Sequence, residues 1–130
     1  MSQAAPPRPT AAELDILRVL WTRGPSTVRD VHEALRHTHP AGYTTVLKLL
    51  QIMAGKGLVR RDETQRAHVY EARRPEEQTQ RQLARDLLDR AFDGSASRLV
   101  LHALSGRKAS AEELAEIRRM LDDIEKGGVR

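Results

Sequence analysis

The fold of this chain is indicated most clearly by residues 44–59, which read TTVLKLLQIMAGKGLV. Four apolar residues recur there at helical spacing: Val46, Leu49, Leu50 and Met53. Side chains at this spacing share one face of an α-helix, so we expect them to form a single buried stripe. Gly55 and Gly57 are expected to end the helix, and the β-prone residues after them favour a strand. We therefore predict a helix from about 44 to 54 that leads directly into a strand.

Two further helices are predicted upstream of this stretch. Thr10 and Glu13 have the spacing of a capping box, and an apolar helical pattern follows them until Gly24-Pro25. Ser26 and Thr27 are alternative N-caps for the second helix, which we expect to stop near residues 39–42. The apolar positions of these two helices are Leu14, Leu17, Leu20 and Trp21 in the first, and Val28, Val31, Ala34 and Leu35 in the second.

Two short β-prone runs follow the third helix, at residues 58–61 and 67–72, and a polar turn separates them. This pattern predicts a β-hairpin. Three helices and a hairpin form the layout of a winged helix-turn-helix. Beyond Pro75 we predict three more helices, at about 76–92, 95–104 and 111–125, the last with a capping box at Ser110 and Glu113. The expected fold is thus mainly α with a small β-hairpin.

We predict three regions along the 130 residues: a flexible leader at 1–9, a winged-helix DNA-binding domain at 10–74 and a helical dimerisation region at 75–130. The charge is divided along the same boundary. Residues 1–74 contain 12 Lys and Arg against 7 Asp and Glu, whereas residues 75–130 contain 10 against 11. The basic excess therefore lies in the region that is expected to meet DNA.

Several function classes are disfavoured by composition. The chain has no cysteine, which excludes disulfides and thiolate metal sites and fits a cytoplasmic location. The histidines at 32, 37 and 39 match no common zinc spacing, so we expect no metal and no other cofactor. We find no catalytic constellation and predict that the protein is not an enzyme. No apolar run is long enough for membrane insertion.

The third helix is expected to present a DNA-reading face opposite its buried stripe. Thr44 and Thr45 lie at its N-terminus, where backbone amides and the helix dipole favour phosphate oxygens. Lys48 and Gln51 are long enough to reach base edges in the major groove. Wing residues suited to the DNA backbone or the minor groove are Arg60, Arg61, Arg66 and His68. Two of these assignments stay open: Tyr43 suits either packing on the second helix or a phosphate contact, and His68 also fits a plain strand residue.

Several segments together resemble the penicillinase-repressor group of bacterial winged-helix repressors, often called BlaI/MecI/CopY. They read ELDILRVLW at 13–21, TVRDVH at 27–32, GYTTVLKLLQ at 42–51, KGLV at 56–59 and RAHVY at 66–70. The resemblance covers residues 13–125. It implies a homodimer that binds double-stranded operator DNA of palindromic sequence and represses transcription. In this group the third helix reads the major groove and the C-terminal helices form the dimer.

The resemblance does not predict which signal releases the repressor from DNA, because this chain differs from the family at the residues that respond to such signals. Some relatives are cleaved, after a membrane sensor detects a β-lactam, at an Asn-Phe bond that corresponds to His102-Ala103 here. The copper-responsive branch uses a C-terminal cysteine cluster, which this chain lacks. Ile52 stands where many relatives have a basic residue. The inducing signal, and whether an upstream sensor protease takes part, are therefore left open.

Residues 75–130 contain too little chain to bury their own apolar residues, so a second copy is the simplest partner. The expected dimerisation residues are Leu83, Leu87, Leu88, Phe92, Leu99, Leu104, Leu114, Ile117, Leu121 and Ile124. The last four recur at the spacing of a coiled-coil seam, which suits packing within the chain or across the dimer. Two alternatives to the repressor reading remain: a winged-helix module for protein-protein interaction, and a repressor released by a small ligand.

Overall fold

The computed structural model describes residues 7–106 and 108–127. It confirms a mainly helical fold with a small antiparallel sheet. The elements are α1 (Ala11–Arg23), β1 (Ser26–Thr27), α2 (Val28–Leu35), α3 (Tyr43–Lys56), β2 (Val59–Asp62), β3 (Val69–Ala72), α4 (Glu76–Ala91), α5 (Ala96–Ser105) and α6 (Ala111–Glu125). Most of the predicted leader, residues 1–6 of 1–9, lies outside the described residues.

The helix starts follow the capping residues in the sequence. Thr10 and Glu13 form the predicted capping box at the start of α1. Thr27, rather than Ser26, caps α2 by accepting the backbone N–H of Asp30 at 3.1 Å. Each cap satisfies amide groups that the helix itself leaves without partners.

The helix ends differ from the prediction in two places. α2 stops at Leu35, earlier than expected, and a turn through residues 36–38 replaces its last part. α3 runs through Gly55 to Lys56 and ends at Gly57, whose φ of 84° lies in the left-handed region that glycine adopts without strain. Of the two glycines, only Gly57 therefore terminates α3.

The core lies between the first three helices and the sheet. Its buried hydrophobic residues are Ile16, Leu17, Leu20, Val28, Val31, Leu35, Val46, Leu50, Met53, Leu58, Val59 and Tyr70. The predicted stripe of α3 is buried at Val46, Leu50 and Met53, but Leu49 is only partly buried. Leu49 lies at the edge of the stripe, because successive side chains on a helix are rotated by about 100°.

The sheet has three strands in the order β1-β3-β2, all antiparallel. The predicted hairpin is present, although its return strand begins at Val69 rather than at residue 67. β1 was not predicted, because a strand of two residues is too short to have a periodic pattern. The cross-strand pairs Arg61 with Tyr70 and Arg60 with Glu71 set the register of the hairpin. We call residues 59–72 the wing.

The chain divides into two compact units, one up to residue 84 and one from residue 85 onward. The division falls inside α4, whereas the predicted domain boundary at 74/75 follows the composition. In the second unit, the hydroxyl groups of Ser95 and Ser110 cap α5 and α6. No residue described in α5 or α6 is buried within the chain. None of the described helices is long and apolar enough to cross a membrane.

Candidate nucleic-acid interface

α3 is amphipathic in the way that a DNA-reading helix requires. Thr44, Thr45, Lys48 and Gln51 are all exposed. Lys48 and Gln51 lie one turn apart on the side of the helix opposite the buried Val46. The helix therefore offers a polar face of suitable length while its other face is held in the core.

The N-terminus of α3 suits an anionic group. Its N-cap is Gly42, which has no side chain with which to accept the first-turn N–H groups. Thr44 and Thr45 follow in the first turn, and both side chains are exposed. The uncapped amides, the helix dipole and the two hydroxyl groups can together bind a phosphate oxygen.

Tyr43 takes part in a contact between α2 and α3. Its ring meets that of His32 edge-on, with the ring centroids 5.8 Å apart, and the residue remains 49% exposed. Of the two alternatives for Tyr43, the packing contact with α2 is thus present. The exposed half of the side chain still faces away from the core, where a backbone phosphate could be reached.

An open groove runs between α3, the start of α2 and the wing. It is lined by Thr27, Val28, Arg29, Tyr43, Leu47, Gln51, Arg61, Arg66, Ala67, His68 and Tyr70. We call this the wing groove. Three of its residues are arginine and none is acidic, so its own side chains favour an anion. Five of the sequence-predicted residues meet here: Tyr43, Gln51, Arg61, Arg66 and His68.

Arg60 and Arg61 point to opposite faces of the wing, because side chains alternate along a strand. Arg61 shares the face of Tyr70, which is directed into the core. Arg60 lies on the other face beside Glu71, with 3.5 Å between Nη1 and the carboxylate. Only Arg61 of this pair therefore lines the wing groove.

Arg61 is held by two neighbours. Its Nε donates to Glu63 at 2.8 Å, and its Nη2 lies 2.7 Å from the same carboxylate. Hydrogen bonds with Tyr70 and then Glu63 raise the pKa of the guanidinium above its ordinary value. Arg61 is thus charged and oriented, but in the free protein a carboxylate takes up part of its hydrogen-bonding capacity.

The tip of the wing is ordered by a local turn. The carboxylate of Asp62 accepts the backbone N–H of Thr64 at 2.9 Å and its hydroxyl at 2.7 Å. These hydrogen bonds, first the one from the backbone, lower the pKa of Asp62. Arg66 and His68 follow this turn and are exposed. The turn therefore brings both side chains back to the wing groove.

Arg29 is not among the residues that the sequence predicts for this interface. It is exposed in the first turn of α2 and lines the wing groove with Arg61 and Arg66. One signal for it was available: Arg29 directly follows the cap and the first apolar residue of α2, which directs it away from the buried side of that helix. That it approaches the wing could be learned only from the tertiary fold.

The candidate dimerisation residues are exposed or only partly buried. Leu87, Leu121 and Ile124 are 48%, 58% and 56% exposed. Within the second unit, α5 and α6 line an open, largely apolar groove formed by Ala96, Ser97, Val100, Leu101, Leu104, Ser105 and Leu121. His102 is exposed, and its ring centroid lies 5.7 Å from that of Phe92.

The described residues contain no cluster of three or more His, Asp or Glu side chains placed to hold a metal ion. Asp15 and His39 lie 3.6 Å apart beside a depression between α1 and the turn after α2, but they have no third ligand there. The feature that stands out chemically is therefore the wing groove with the polar face of α3.

Comparisons with known proteins identify the family of this chain. The family model for the penicillinase repressor matches residues 9–123. The transcriptional regulator BlaI of Mycobacterium tuberculosis is 36% identical over 117 residues, covering 88% of this chain and 83% of that protein. The penicillinase repressor of Bacillus licheniformis is 24% identical over 117 residues, with 90% and 91% covered.

The fold has a counterpart among solved structures. The solution structure of the DNA-binding domain of the repressor BlaI matches with a TM-score of 0.50 and 23% identity, over 57% of this chain and 90% of that domain. The match confirms the winged-helix fold. Taken with the family model and the curated relatives, it establishes that the chain belongs to the penicillinase repressor family and is a DNA-binding transcriptional repressor, not an enzyme.

Proposed function

We propose that this cytoplasmic repressor binds a palindromic operator as a homodimer, with α3 in the major groove and the wing on the flanking backbone. The observation that carries the proposal is the pairing of an exposed polar face on α3 with a groove that contains three arginines and no acidic residue. Duplex DNA supplies both partners that this arrangement requires, namely base edges and a line of phosphates.

Each part of the interface has its own role in this proposal. Lys48 and Gln51 contact base edges, because both are long and project from the middle of the exposed face of α3. Thr44 and Thr45 bind a phosphate at the helix N-terminus. In this proposal the sugar-phosphate backbone is contacted by Arg29, Arg61 and Arg66, which line the wing groove, and by Arg60 on the outer face of the wing.

The dimer is supported by the exposed apolar surface of α4, α5 and α6. The described residues of α5 and α6 include no buried side chain, so these helices have no core of their own. Large exposed apolar surfaces mark interaction sites. A second copy related by two-fold symmetry covers the same surface on both chains and presents two α3 helices to matching half-sites.

The test begins with duplexes that the wild-type protein selects from a random pool. We expect the affinity for a selected duplex to fall steeply as the salt concentration rises, because bound phosphates release counterions. Lys48→Ala should relax the base preference by about 1–3 kcal/mol at one position of each half-site. Lys108→Ala is the matched control, since it removes the same charge from an exposed site in the second unit.

Two results would contradict the proposal. Duplex binding that is absent or insensitive to salt would favour a winged-helix module for protein-protein contact. A monomer in sedimentation analysis, both free at micromolar concentration and on the selected duplex, would rule out the dimer. A small molecule that raises the melting temperature and releases DNA would show that the repressor responds to a ligand.

A further inference from the structure

Arg74 joins three elements of the first unit that are distant in sequence. Its backbone carbonyl accepts the indole N–H of Trp21 in α1 at 3.0 Å. Its guanidinium Nη1 donates to the backbone carbonyl of Gly57, the C-cap of α3, at 2.9 Å. One residue between the wing and α4 therefore connects α1 with the end of the DNA-reading helix.

Both contacts are directional. The carbonyl groups at the C-terminus of a helix have no partner within the helix and lie at the negative end of its dipole, so a guanidinium is well suited to them. The indole of Trp21 has a single N–H donor and no acceptor, so its partner must be a carbonyl or similar group. Arg74 and Trp21 are both partly buried, which restricts their side chains.

The chain continues from Arg74 directly into α4. The backbone N–H of Arg73 donates to the carbonyl of Leu58 at 3.1 Å, which extends the pairing of the wing to the residue before Arg74. Pro75 follows, and its carbonyl accepts the N–H groups of Gln78 and Thr79. Thr79 is only 6% exposed, so the start of α4 has a buried side chain.

These contacts orient the start of α4 relative to the C-terminus of α3. α4 then continues as one helix to Ala91, into the region that carries the candidate dimerisation residues. A dimer that reads two half-sites must hold its two DNA-reading helices at a defined separation and rotation. The start of α4 is the segment that connects each DNA-reading helix along the chain to that region.

We propose that Arg74 is a positioning residue, which with Trp21 fixes the exit of α4 and thereby determines the half-site spacing that the repressor accepts. The inference rests on the proposed homodimer and its two half-sites. Arg74 touches neither bases nor phosphates in this role. It acts through the carbonyl of Gly57 and through the indole of Trp21.

The experiment uses the full chain and a duplex that the wild-type protein selects from a random pool. Affinity is measured by fluorescence anisotropy for this duplex, for a single half-site, and for versions with one to four base pairs inserted between the half-sites. Two inserted base pairs rotate one half-site by about 70° around the DNA axis. We define the spacing preference as the ratio of the affinity for the selected spacing to that for each altered spacing.

The variants are Arg74→Met, which removes the guanidinium but keeps a long side chain, and Trp21→Phe, which removes the N–H but keeps an aromatic ring. Arg73→Met is the matched control, because Arg73 immediately precedes Arg74 and carries the same charge but is exposed. We expect Arg74→Met and Trp21→Phe to lower the spacing preference by about fivefold or more while half-site affinity stays within about twofold. Arg73→Met should leave both quantities unchanged.

Circular dichroism and thermal unfolding identify any variant that fails to fold. If either Arg74→Met or Trp21→Phe fails to fold, the spacing preference of the remaining variant tests the inference. An unchanged spacing preference in a folded variant would overturn the inference. An equal loss of affinity for the half-site and for the full site would also overturn it, because Arg74 would then act on α3 alone. If the wild type bound every spacing equally well, the proposed two-half-site dimer would itself be wrong, and the inference would fall with it.

Discussion

Oε1 of Glu13 lies 2.7 Å from Nζ of Lys56, and this ion pair joins the first turn of α1 to the last turn of α3. The side chain of Glu13 is only 3% exposed, whereas that of Lys56 is 33% exposed. Burial by itself would raise the pKa of Glu13. The hydrogen bonds from Lys56 and from the backbone of Thr10 outweigh it, so that the pKa lies below its ordinary value.

The first prediction concerns the pH dependence of stability. A carboxyl group with a lowered pKa stabilises the fold above its unfolded-state pKa, and this contribution is lost as the pH falls through the folded-state pKa. Glu13→Gln should lower the free energy of unfolding by about 1–3 kcal/mol at neutral pH, because Lys56 loses its charged partner. The difference between wild type and variant should shrink on acidification.

Urea unfolding at neutral pH and in acid measures this difference. Glu33→Gln is the control, because Glu33 also has a lowered pKa, from its hydrogen bond with Arg36, but is exposed at the surface. Exposed ion pairs contribute little to stability, so the control should have only a small effect. If Glu13→Gln lowered the free energy of unfolding equally at both pH values, the stabilisation would not come from the charged carboxylate of Glu13.

The second prediction is that Glu63 restrains binding to DNA. The carboxylate of Glu63 binds the guanidinium of Arg61. A phosphate must therefore displace this carboxylate before the phosphate can use all the hydrogen-bond donors of the guanidinium. Glu63→Gln should therefore tighten binding to all duplexes by about threefold or more, since the change acts on backbone contacts. The measurement is affinity for selected and unrelated duplexes at one salt concentration.

Glu77→Gln is the matched control for this prediction, because it removes an exposed carboxylate that pairs with Arg81 in α4, outside the proposed interface. Combining Glu63→Gln with Arg61→Ala should abolish the gain. If the gain persisted in the double variant, it would come from general charge removal rather than from the release of Arg61.

The third prediction distinguishes two adjacent leucines of α3. Leu50 is fully buried, so Leu50→Ala should cost about 2–5 kcal/mol of unfolding free energy by leaving a cavity. Leu49 lies at the edge of the buried stripe and is only partly buried, so Leu49→Ala should cost clearly less. Chemical denaturation of both variants provides the comparison, and equal losses would contradict the observed packing of α3.

The fourth prediction tests the apolar groove between α5 and α6. Leu121 lines this groove and is 58% exposed, so Leu121→Glu should add a charge to a surface that the proposed dimer buries. We expect a shift toward monomer in sedimentation analysis, with half-site affinity retained. Arg119→Glu, an exposed position of α6 that does not line the groove, is the control. A dimer that tolerates Leu121→Glu would place the interface elsewhere.

Local rules account for the features that were predicted correctly from the sequence. A helix begins where a side chain three residues away can accept a free amide, so Thr10 and Ser110 mark helix starts without knowledge of the rest of the fold. The alternation of buried and exposed positions likewise follows from 3.6 residues per turn, which predicted the stripe and the polar face of α3.

Features that depend on distant contacts were decided by the tertiary structure. Arg60 and Arg61 look equivalent in the sequence, but the register with β3 places only Arg61 in the wing groove. Arg29 lines the same groove because α2 follows β1, which pairs with β3 of the wing. The Trp21 and Arg74 contact spans 53 residues, and no local pattern indicates it.

The sequence by itself therefore determined the winged-helix architecture, the polar face of α3 and the basic character of the first 74 residues. The tertiary structure alone decided which arginines converge, which carboxylates hold them, and how the start of α4 is tied to α1 and α3. The physical reason is the range of the interactions. Capping and amphipathic periodicity act over three to four residues, whereas the pairing of Arg61 with Tyr70 and of Arg74 with Gly57 requires the core to have brought the strands and helices together.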